Sequence, residues 1–401
     1  MSLPLTGIRV LDVTNVLAGP FCSYQLALMG AEVIKIEQPG TGDLARRLGA
    51  DSLQFEKLMG ASFVAVNAGK QSLTLNLKRE TGKKIFKQLT AQSDVVVENF
   101  RPGVMKRLGL DYEVLSKVKA SLVYCAISGF GQEGPLAQRP AYDQVIQGMA
   151  GVMSVTGDQS SAPLRVGYPV CDTVGGITAA FAISAALVGA KTTGEGQRID
   201  VSMLESSLAA MGWVVSNYLN CGVIPLPMGN QNFTASPSGT FRTADRPLNI
   251  AANEDSQFRS LCDLIERPDL KDDPRFAERT TRKNNRDAMN AEIEPQLMRR
   301  TAEEWETVMV AAGIPAGRVL TVPEILEHSH LAKSQFVTTF PANADAATRE
   351  QHVTRGGFQL QGEAAVPTSP APVLSEHTEL WLARLGYDAG QIAALRAEGT
   401  V

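Results

Sequence analysis

The chain is 401 residues long, which is enough for roughly two to three domains and for a core that needs neither disulfides nor metal. Hydrophobic residues make up 44% of the sequence and charged residues 20%, so a disordered or fibrous protein is excluded. The formal net charge is −4, and no bulk basic surface exists to hold nucleic acid or an anionic membrane. We therefore expect neither nucleic acid nor a membrane as a partner.

The first half of the chain alternates between strand-like and helix-like segments. The predicted strands cover 8–13, 31–37, 94–99, 122–127 and 197–201, and the predicted helices among them cover 20–29, 78–92 and 173–190. Because strands separated by helices pair in parallel, the pattern indicates an α/β fold built on a parallel sheet.

A stretch without charge follows this alternating half. Residues 206–241 contain no charged side chain but several prolines, so they cannot form one long helix. We interpret the stretch as a linker that is nevertheless buried, with a partner subunit as its cover. Residues 242–312 are rich in charge and in helical pattern, which indicates a smaller second domain.

The chemistry available to the chain is limited by its histidines. All four lie beyond residue 327, at His328, His330, His352 and His377, so catalytic triads that need a histidine base are disfavoured. The five cysteines are scattered without a C-x-x-C pair, which indicates neither disulfides nor a zinc site. We expect no bound metal and a reduced, cytoplasmic location, since the first residues also lack signal-peptide character.

Asp172 is the side chain that stands out on physical grounds. It precedes 18 uncharged residues, mostly Ala, Gly, Ser and Thr, that predict a buried helix better than a membrane span. At this position the carboxylate can cap the helix N-terminus while remaining poorly solvated. Gly175 and Gly176 in the first turn lower the helix propensity. We interpret them as positions where another group must come close to the helix backbone. From the residues alone, Asp172 could be either an ordinary helix cap or a reactive carboxylate.

Two further patterns are typical of nucleotide-like ligands. Residues 129–134 match G-x-G-x-x-G after a strand, but Pro135 and Pro140 interrupt the helix that a dinucleotide site needs, so we favour a flexible loop. A local basic cluster contains Lys70, Arg101, Lys106 and Arg107. The cluster fits phosphate binding and a solvated helix face equally well.

Longer motifs spread over nearly the whole chain carry a family resemblance. They occupy residues 5–12, 16–20, 30–37 with Gly40 and 42–43, 97–103, 128–135, and 198–203 with Glu205. With them the chain resembles the family III CoA-transferases, which include formyl-CoA:oxalate and succinyl-CoA-dependent dicarboxylate CoA-transferases. The stretches Val97–Gly103 and Ser128–Pro135 are very specific, and the second explains the glycine pattern.

The resemblance implies a fold and a set of domain boundaries. We predict a Rossmann-like large domain built from both chain ends, 1–205 and 326–401, with a smaller α/β domain at 225–325. Residues 206–224 would form the linker between them. The family also implies an interlocked homodimer, in which each subunit threads through the other and covers the uncharged segment.

The resemblance also places a catalytic nucleophile on Asp172. In such enzymes the carboxylate attacks an acyl-CoA thioester, forms a mixed anhydride and then an aspartyl-CoA thioester, and passes CoA to an acceptor acid. Water must be excluded because the anhydrides hydrolyse. We predict transfer of CoA from a small acyl-CoA, with succinyl-CoA as a candidate, to a small carboxylic or dicarboxylic acid. Coenzyme A is then a substrate, and no cofactor is bound permanently.

Further site residues come from the same resemblance. The positions assigned to CoA binding are Val16, Ala18, Gln38, Lys70, Asn99, Arg107 and Leu108, although Gln38 stands where many members carry an arginine. The positions assigned to the acyl group or acid are Leu17, Tyr142, Asn232, Ala251 and Asn253. Leu17 replaces the glutamine of oxalate-specific members, and residues 250–255 replace a glycine-rich turn, so we expect an altered acyl pocket.

Two alternative functions stay open on the sequence. The 2-methylacyl-CoA racemases resemble the chain in fold and CoA site, but they use a histidine and an aspartate as paired acid and base. Their histidine would fall at Tyr142, which is followed by Asp143, and a tyrosine is a poor base near neutral pH. The other alternative is a catalytically silent CoA-binding protein.

Overall fold

A parallel sheet organises the first of two units into which the described chain divides. The structure is a computed structural model that describes residues 3–343 and 348–401. Within these ranges the first unit comprises the residues up to Val152, Arg165–Val223 and Ser329–Val401, and the second comprises Met153–Leu164 and Ile224–His328. Both terminal parts of the described chain therefore belong to the first unit.

In the described part of the first unit, six parallel strands form the sheet in the order β3-β2-β1-β4-β5-β6. They are β1 (Arg9–Val13), β2 (Glu32–Glu37), β3 (Lys70–Thr74), β4 (Val95–Glu98), β5 (Val123–Ser128) and β6 (Arg198–Ser202). Residues 95–97 are fully buried valines, as expected of a parallel sheet that is covered on both faces. The predicted α/β fold with a parallel sheet is confirmed.

Helices connect the strands and cover both faces of this sheet. Up to residue 223 they are α1 (Ala18–Leu28), α2 (Ser52–Glu56), α3 (Ala61–Asn67), α4 (Glu80–Ala91), α5 (Val104–Leu108), α6 (Tyr112–Leu115), α7 (Asp143–Met149), α8 (Val170–Thr193), α9 (Met203–Ala210) and α10 (Gly212–Cys221). Apolar side chains of α1 and α8 form the core on one face, and those of α4 contribute to the core on the other.

The 24-residue helix α8 approaches α1 closely because glycine leaves room for the contact. A Cβ on Gly176 would lie 2.6 Å from the carbonyl oxygen of Ala18, and one on Gly175 would lie 3.0 Å from Met203 Cγ. The glycines therefore allow α8 to pack closely against α1 and against Met203, the first residue of α9. Among the described residues α8 is also the one helix long and apolar enough to cross a membrane, yet its inner face packs into the core.

The segment predicted as a linker, 206–224, is helical for most of its length. Helices α9 and α10 continue to Cys221, because no proline interrupts the sequence before Pro225. Its large apolar side chains are not buried within the described chain: Trp213 is 79% exposed and Leu219 is 72% exposed. A covering partner subunit stays a prediction.

The second unit has a small antiparallel sheet and its own apolar core. Its strands are β7 (Ser238–Phe241), β8 (Leu248–Ala251) and β9 (Ala316–Arg318), and its helices are α11 (Asp255–Leu264), α12 (Arg279–Asn284), α13 (Arg286–Leu297), α14 (Ala302–Ala311) and α15 (Val322–Glu327). Residues 153–164, which the prediction assigns to the large domain, belong to this unit instead. The backbone pairs them with it, since the Gly229 amide donates to the Gly157 carbonyl over 2.6 Å.

The chain from Ser329 onward returns to the first unit. It contains α16 (Ser329–Lys333), β10 (Val337–Phe340), β11 (Gln351–Thr354), β12 (Gln359–Leu360), β13 (Glu363–Ala364), α17 (Thr378–Arg384) and α18 (Ala389–Ala397). The C-terminal segment is joined to β3 by hydrogen bonds, for example from the Thr74 amide to Thr378 Oγ1 over 3.0 Å. Helices α17 and α18 complete the core that α4 begins.

Replacing Gly176 by alanine should destabilise the protein, because the new Cβ would collide with the Ala18 carbonyl. We expect the free energy of unfolding to fall by about 1–3 kcal/mol, measured from the urea midpoint. Gly189→Ala on the same helix is the matched control, since a Cβ there meets nothing within 4 Å. Its stability should stay level or rise by about 0.5–1 kcal/mol. Equal midpoints for the two variants would contradict the packing assigned to Gly176.

Candidate active site

A crevice lies at the carboxyl ends of β1 and β4, where the strand order of the sheet changes direction. In open parallel sheets, ligands bind at this point. The crevice has a volume of about 280 Å³. Its lining residues are 15–18, 99–102, 127–129, 137 and 139–142, together with Asp172 and Met203. The structure therefore brings together these predicted site residues: Val16, Leu17, Ala18, Asn99, Tyr142 and Asp172.

Asp172 lies in the first turn of α8 but does not cap the helix, which begins at Val170. The amides at the helix start are bound by another carboxylate. Asp143 Oδ1 accepts a hydrogen bond from the Cys171 amide over 2.8 Å and one from the Asp172 amide over 3.4 Å. The prediction that Asp172 caps the helix is therefore wrong, because α7 supplies the cap from elsewhere in the chain.

The Asp172 carboxyl is poorly solvated, and its oxygens have no hydrogen-bond donor among the described residues. Burial raises the pKa of Asp172 to about 7, and the negative charge of Asp143 acts in the same direction. Burial and the lack of a donor both leave the ionised form less stabilised than it would be in bulk water. A carboxyl group with a raised pKa that lines a crevice is a candidate functional group, and Asp172 is such a group.

The loop between β1 and α1 forms one wall of the crevice in an uncommon backbone conformation. Val16 has a φ of +68°, in the left-handed region that is costly for a β-branched residue. Its amide donates to Asp43 Oδ1 over 2.9 Å. The adjacent Asn15 exchanges two hydrogen bonds with the side chain of Asn99, at 2.9 and 2.8 Å. These bonds fix both Val16 and Asn99 at the crevice.

A buried ionic network supports this loop. Lys35 Nζ donates to the Thr14 carbonyl over 2.8 Å and pairs with Asp43 Oδ2 at 2.9 Å. Lys70 Nζ pairs with Asp12 Oδ2 at 2.9 Å. Buried charges are tolerated when they are paired and hydrogen-bonded. The network thus ties β1, β2 and β3 to the loop that carries Val16.

Lys70 is not available to a CoA phosphate, which corrects its predicted role. The side chain is fully buried. Besides the Asp12 pair, Nζ donates to Pro20 O, Ser23 Oγ and Asn67 Oδ1 at 2.8–2.9 Å. An ammonium group has three protons to donate, so these protein atoms already satisfy it. The sequence analysis did not predict this interior location, since four of residues 70–74 are polar.

The remaining predicted CoA residues, Gln38, Arg107 and Leu108, do not line this crevice. Gln38 and Arg107 are exposed, and Leu108 packs against the core formed with α4. Two arginines that the predicted site omitted do line it, Arg101 and Arg139. Arg101 belongs to the basic cluster in the sequence, whereas no pattern marked Arg139.

The predicted substrate residues divide between the two units. Leu17 and Tyr142 line the crevice, and the Tyr142 side chain is 68% exposed. Asn232, Ala251 and Asn253 lie in the second unit, where Ala251 is the last residue of β8. The substrate roles of these three residues stay predictions.

Comparison with known proteins decides the family. The family model described as CoA-transferase family III matches residues 5–378. The chain belongs to CoA-transferase family III. The family resemblance predicted from the sequence motifs is confirmed, and with it the assignment of the protein as a CoA-transferase.

Relatives of this CoA-transferase share most of its length. Acetyl-CoA:oxalate CoA-transferase of Acetobacter aceti is 42% identical over 80% of this chain and 82% of that protein. Succinyl-CoA:glutarate CoA-transferase of Mus musculus is 32% identical over 99% of this chain and 90% of that protein. A solved CAIB/BAIF family protein from Brucella suis has a TM-score of 0.83 and 31% identity, and the match covers 96% of this chain and 100% of that one.

Replacing Lys70 by methionine should destabilise the CoA-transferase, because Asp12 would lose its counter-charge in the interior. We expect the free energy of unfolding to fall by about 3–5 kcal/mol, measured by urea denaturation. Lys84→Met at an exposed position on α4 is the control, and it should change stability by less than about 0.5 kcal/mol. A stable Lys70→Met protein with only a raised KM for CoA esters would show that Lys70 binds CoA after all.

Proposed function

We propose that this CoA-transferase moves CoA from a small acyl-CoA to a small carboxylic or dicarboxylic acid, with Asp172 as its nucleophile. The Asp172 carboxyl carries this proposal, since it is partly buried at the crevice without a hydrogen-bond donor in the described structure. Relatives named for acetyl-CoA:oxalate and succinyl-CoA:glutarate transfer support the substrate class. Succinyl-CoA is the donor that we would test first.

The first half of the reaction loads CoA onto the enzyme. An oxygen of Asp172 attacks the thioester carbonyl, the C–S bond breaks, and CoA leaves as the thiolate. The product is a mixed anhydride of the acyl group and Asp172. The thiolate then attacks the Asp172 carbonyl carbon of the anhydride and expels the donor acid as its carboxylate. CoA is now held as a thioester of Asp172.

The second half reverses these steps with the acceptor acid. The acceptor carboxylate attacks the aspartyl thioester, the thiolate leaves again, and a second anhydride forms. The thiolate attacks the acceptor's carbonyl carbon, which gives the new acyl-CoA and frees the Asp172 carboxylate. Each attacking group is already an anion, so no net proton is taken up or released. A histidine base is therefore not required.

The surroundings of Asp172 suit the negative charge that develops in each attack. Helix α1 begins at Ala18 on the crevice wall, and no side chain of the described residues caps it. Amides in the first turn of such a helix are left for a ligand, and they stabilise an oxyanion at which they point. Arg101 and Arg139 supply positive charge for CoA phosphates or for an acceptor carboxylate.

The crevice also offers apolar side chains that would help to exclude water from the anhydrides. Leu17, Phe100, Pro102 and Met203 are among its lining residues. A dry site lengthens the lifetime of an anhydride because hydrolysis is the competing reaction. The Leu17 side chain has no polar group, so it cannot select the acceptor acid by a hydrogen bond.

The geometry gives no support to the racemase alternative. Tyr142, where the racemase histidine would fall, is largely exposed at the crevice. Its neighbour Asp143 is occupied by the amide of Cys171 and by the Gln147 side chain. A paired acid and base flanking a substrate carbon needs two suitable titratable groups, and here a tyrosine stands in place of the histidine and is followed by an aspartate that is already hydrogen-bonded.

Asp172→Ala should abolish CoA transfer while the protein stays folded. We expect kcat to fall by at least about a thousandfold, because the covalent intermediate cannot form. Transfer is measured by chromatography of CoA esters with succinyl-CoA or acetyl-CoA and a panel of acids.

Covalent trapping separates an enzyme from a silent CoA-binding protein. Wild-type protein incubated with acyl-CoA and then with hydroxylamine or borohydride should be modified at Asp172, as read by peptide mass spectrometry. The Asp172→Ala protein is the control and should remain unmodified. Substantial transfer by the Asp172→Ala protein would refute the proposed mechanism.

We also propose that the enzyme is a homodimer, interlocked as the family resemblance implies, and that it is cytoplasmic. Exposed apolar side chains on α8 and α10 support a partner surface: Phe181, Val188, Trp213 and Leu219 are each at least 69% exposed. Exposed apolar surface of this kind is uncommon on a monomer and is typical of an interface. A second copy of the chain is the partner proposed.

Phe181→Asp should weaken the dimer, because a charge would be buried at the interface. Light scattering should show a dimer for the wild-type protein at micromolar concentration and a smaller species for the variant. Ala91→Asp on the polar face of α4 is the control and should keep the wild-type mass. A wild-type monomer at this concentration would contradict the proposal.

A further inference from the structure

We infer that Asp143 is a positioning residue for CoA transfer: it caps α8 in place of Asp172 and so leaves the Asp172 carboxylate free to attack. The inference rests on the proposed role of Asp172 as nucleophile. It assigns a task to a residue that neither the sequence motifs nor the covalent mechanism requires.

Asp143 is a buried carboxylate that binds the start of α8 from a neighbouring helix. It is the first residue of α7, and only 6% of it is exposed. Oδ1 accepts from the Cys171 amide at 2.8 Å and from the Asp172 amide at 3.4 Å. Oδ2 accepts from Gln147 Nε2 at 2.6 Å, and Arg165 Nη2 lies 3.9 Å away.

Gln147 extends this contact along the segment that leads into α8. Its side chain is fully buried one turn after Asp143 on α7. Oε1 accepts from the Val166 amide at 2.8 Å, and Nε2 also donates to the Tyr168 carbonyl at 3.3 Å. Asp143 and Gln147 together fix the path of the chain from Val166 to the first turn of α8.

The consequence for Asp172 follows from helix capping. An aspartate in the first turn of a helix ordinarily benefits from the free amides at the helix start. In α8 two of these amides point to Asp143, and α8 has no side-chain cap of its own within the described chain. The Asp172 carboxylate is thereby left without a donor, which keeps its lone pairs available for attack.

The second effect of Asp143 is electrostatic. Among the described residues, the charged and titratable groups that line the crevice with Asp172 are Arg101, Arg139 and Tyr142. Asp143 contacts the Asp172 amide, Arg165 lies beside Asp143, and Cys171 precedes Asp172 in the chain. The other elements that pack on α8 at this end, α1 and α9, contribute the uncharged Ala18 and Met203 to the crevice. Burial comes first and the Asp143 charge second in raising the pKa of Asp172 to about 7. Because transfer needs the carboxylate, kcat/KM of the wild type should fall as the pH drops below about 7.

Asp143→Asn is the decisive variant. It keeps an oxygen that can accept from the Cys171 amide but removes the negative charge. We expect the acid limb of the kcat/KM profile to move to lower pH by about one unit, since a like charge near Asp172 is gone. Asp388→Asn is the matched control, because Asp388 caps α18 through the Gln391 amide and α18 contributes no residue to the crevice. Its acid limb should coincide with that of the wild type.

Asp143→Ala tests the positioning role separately from the charge. With the α8 amides free, the Asp172 carboxylate should turn back onto its own helix and lose its attacking geometry. We expect kcat to fall by about a hundredfold with little change in KM, and Asp143→Asn should recover most of this loss. Thermal melting of each variant establishes that it is folded. If Asp143→Ala does not fold, the acid limb of Asp143→Asn decides alone.

Two results would overturn the inference: an acid limb of folded Asp143→Asn that coincides with wild type, or a folded Asp143→Ala protein with wild-type kcat. A merely structural cap predicts the first result, because loss of stability does not move a titration. Failure of the proposed function is recognised independently, as transfer by Asp172→Ala. Failure of this inference alone would leave Asp172→Ala inactive.

Discussion

Two buried lysines hold the carboxyl edge of the sheet to the loop that forms the crevice wall. Lys35 is paired with Asp43, and Lys70 is paired with Asp12, all in the interior. Such pairs return little net stability, because removing each ion from water costs several kcal/mol. Their effect is geometric. They fix the loop in which Val16 adopts a left-handed conformation that would by itself cost about 1–3 kcal/mol. The start of α1 and the position of Asn99 depend on that loop.

Two aspartates meet at the beginning of α8, and the fold treats them in opposite ways. Asp143 receives the backbone amides and the Gln147 side chain, whereas Asp172 receives no donor from the described residues. Two carboxyl groups in one site can have different roles when their surroundings differ in this way. The helix start is stabilised by one carboxylate, and the other is left reactive. Asp143 therefore stabilises the helix, and Asp172 does not need to do so at the expense of its reactivity.

The sequence predicted the parts of the fold that follow from apolar pattern, such as the strands at 94–99 and 122–127. It missed β3, because Leu73 is the one large apolar side chain of residues 70–74, and the buried Lys70, Ser72 and Thr74 are held by ion pairs and hydrogen bonds. Lys70 was assigned to CoA from the family resemblance and the local basic cluster, and neither of these shows that its side chain is buried. Asp172 was identified from its apolar setting and the family resemblance, but the source of its cap was not. Asp143 lies on another helix, and only the folded chain brings the two together.

The contact between α1 and α8 through Gly176 limits how this site can diversify. Since α8 lies against the backbone of α1 at Gly176, the two helices cannot come closer at this point, and residue 176 has no side chain to shorten. A larger acyl group would then be accommodated by exchanging residues on the other walls, where Leu17, Phe100, Tyr142 and Met203 are among those with large side chains. Selection for a new acid, in nature or in the laboratory, should therefore leave the helix pair untouched and concentrate on those positions.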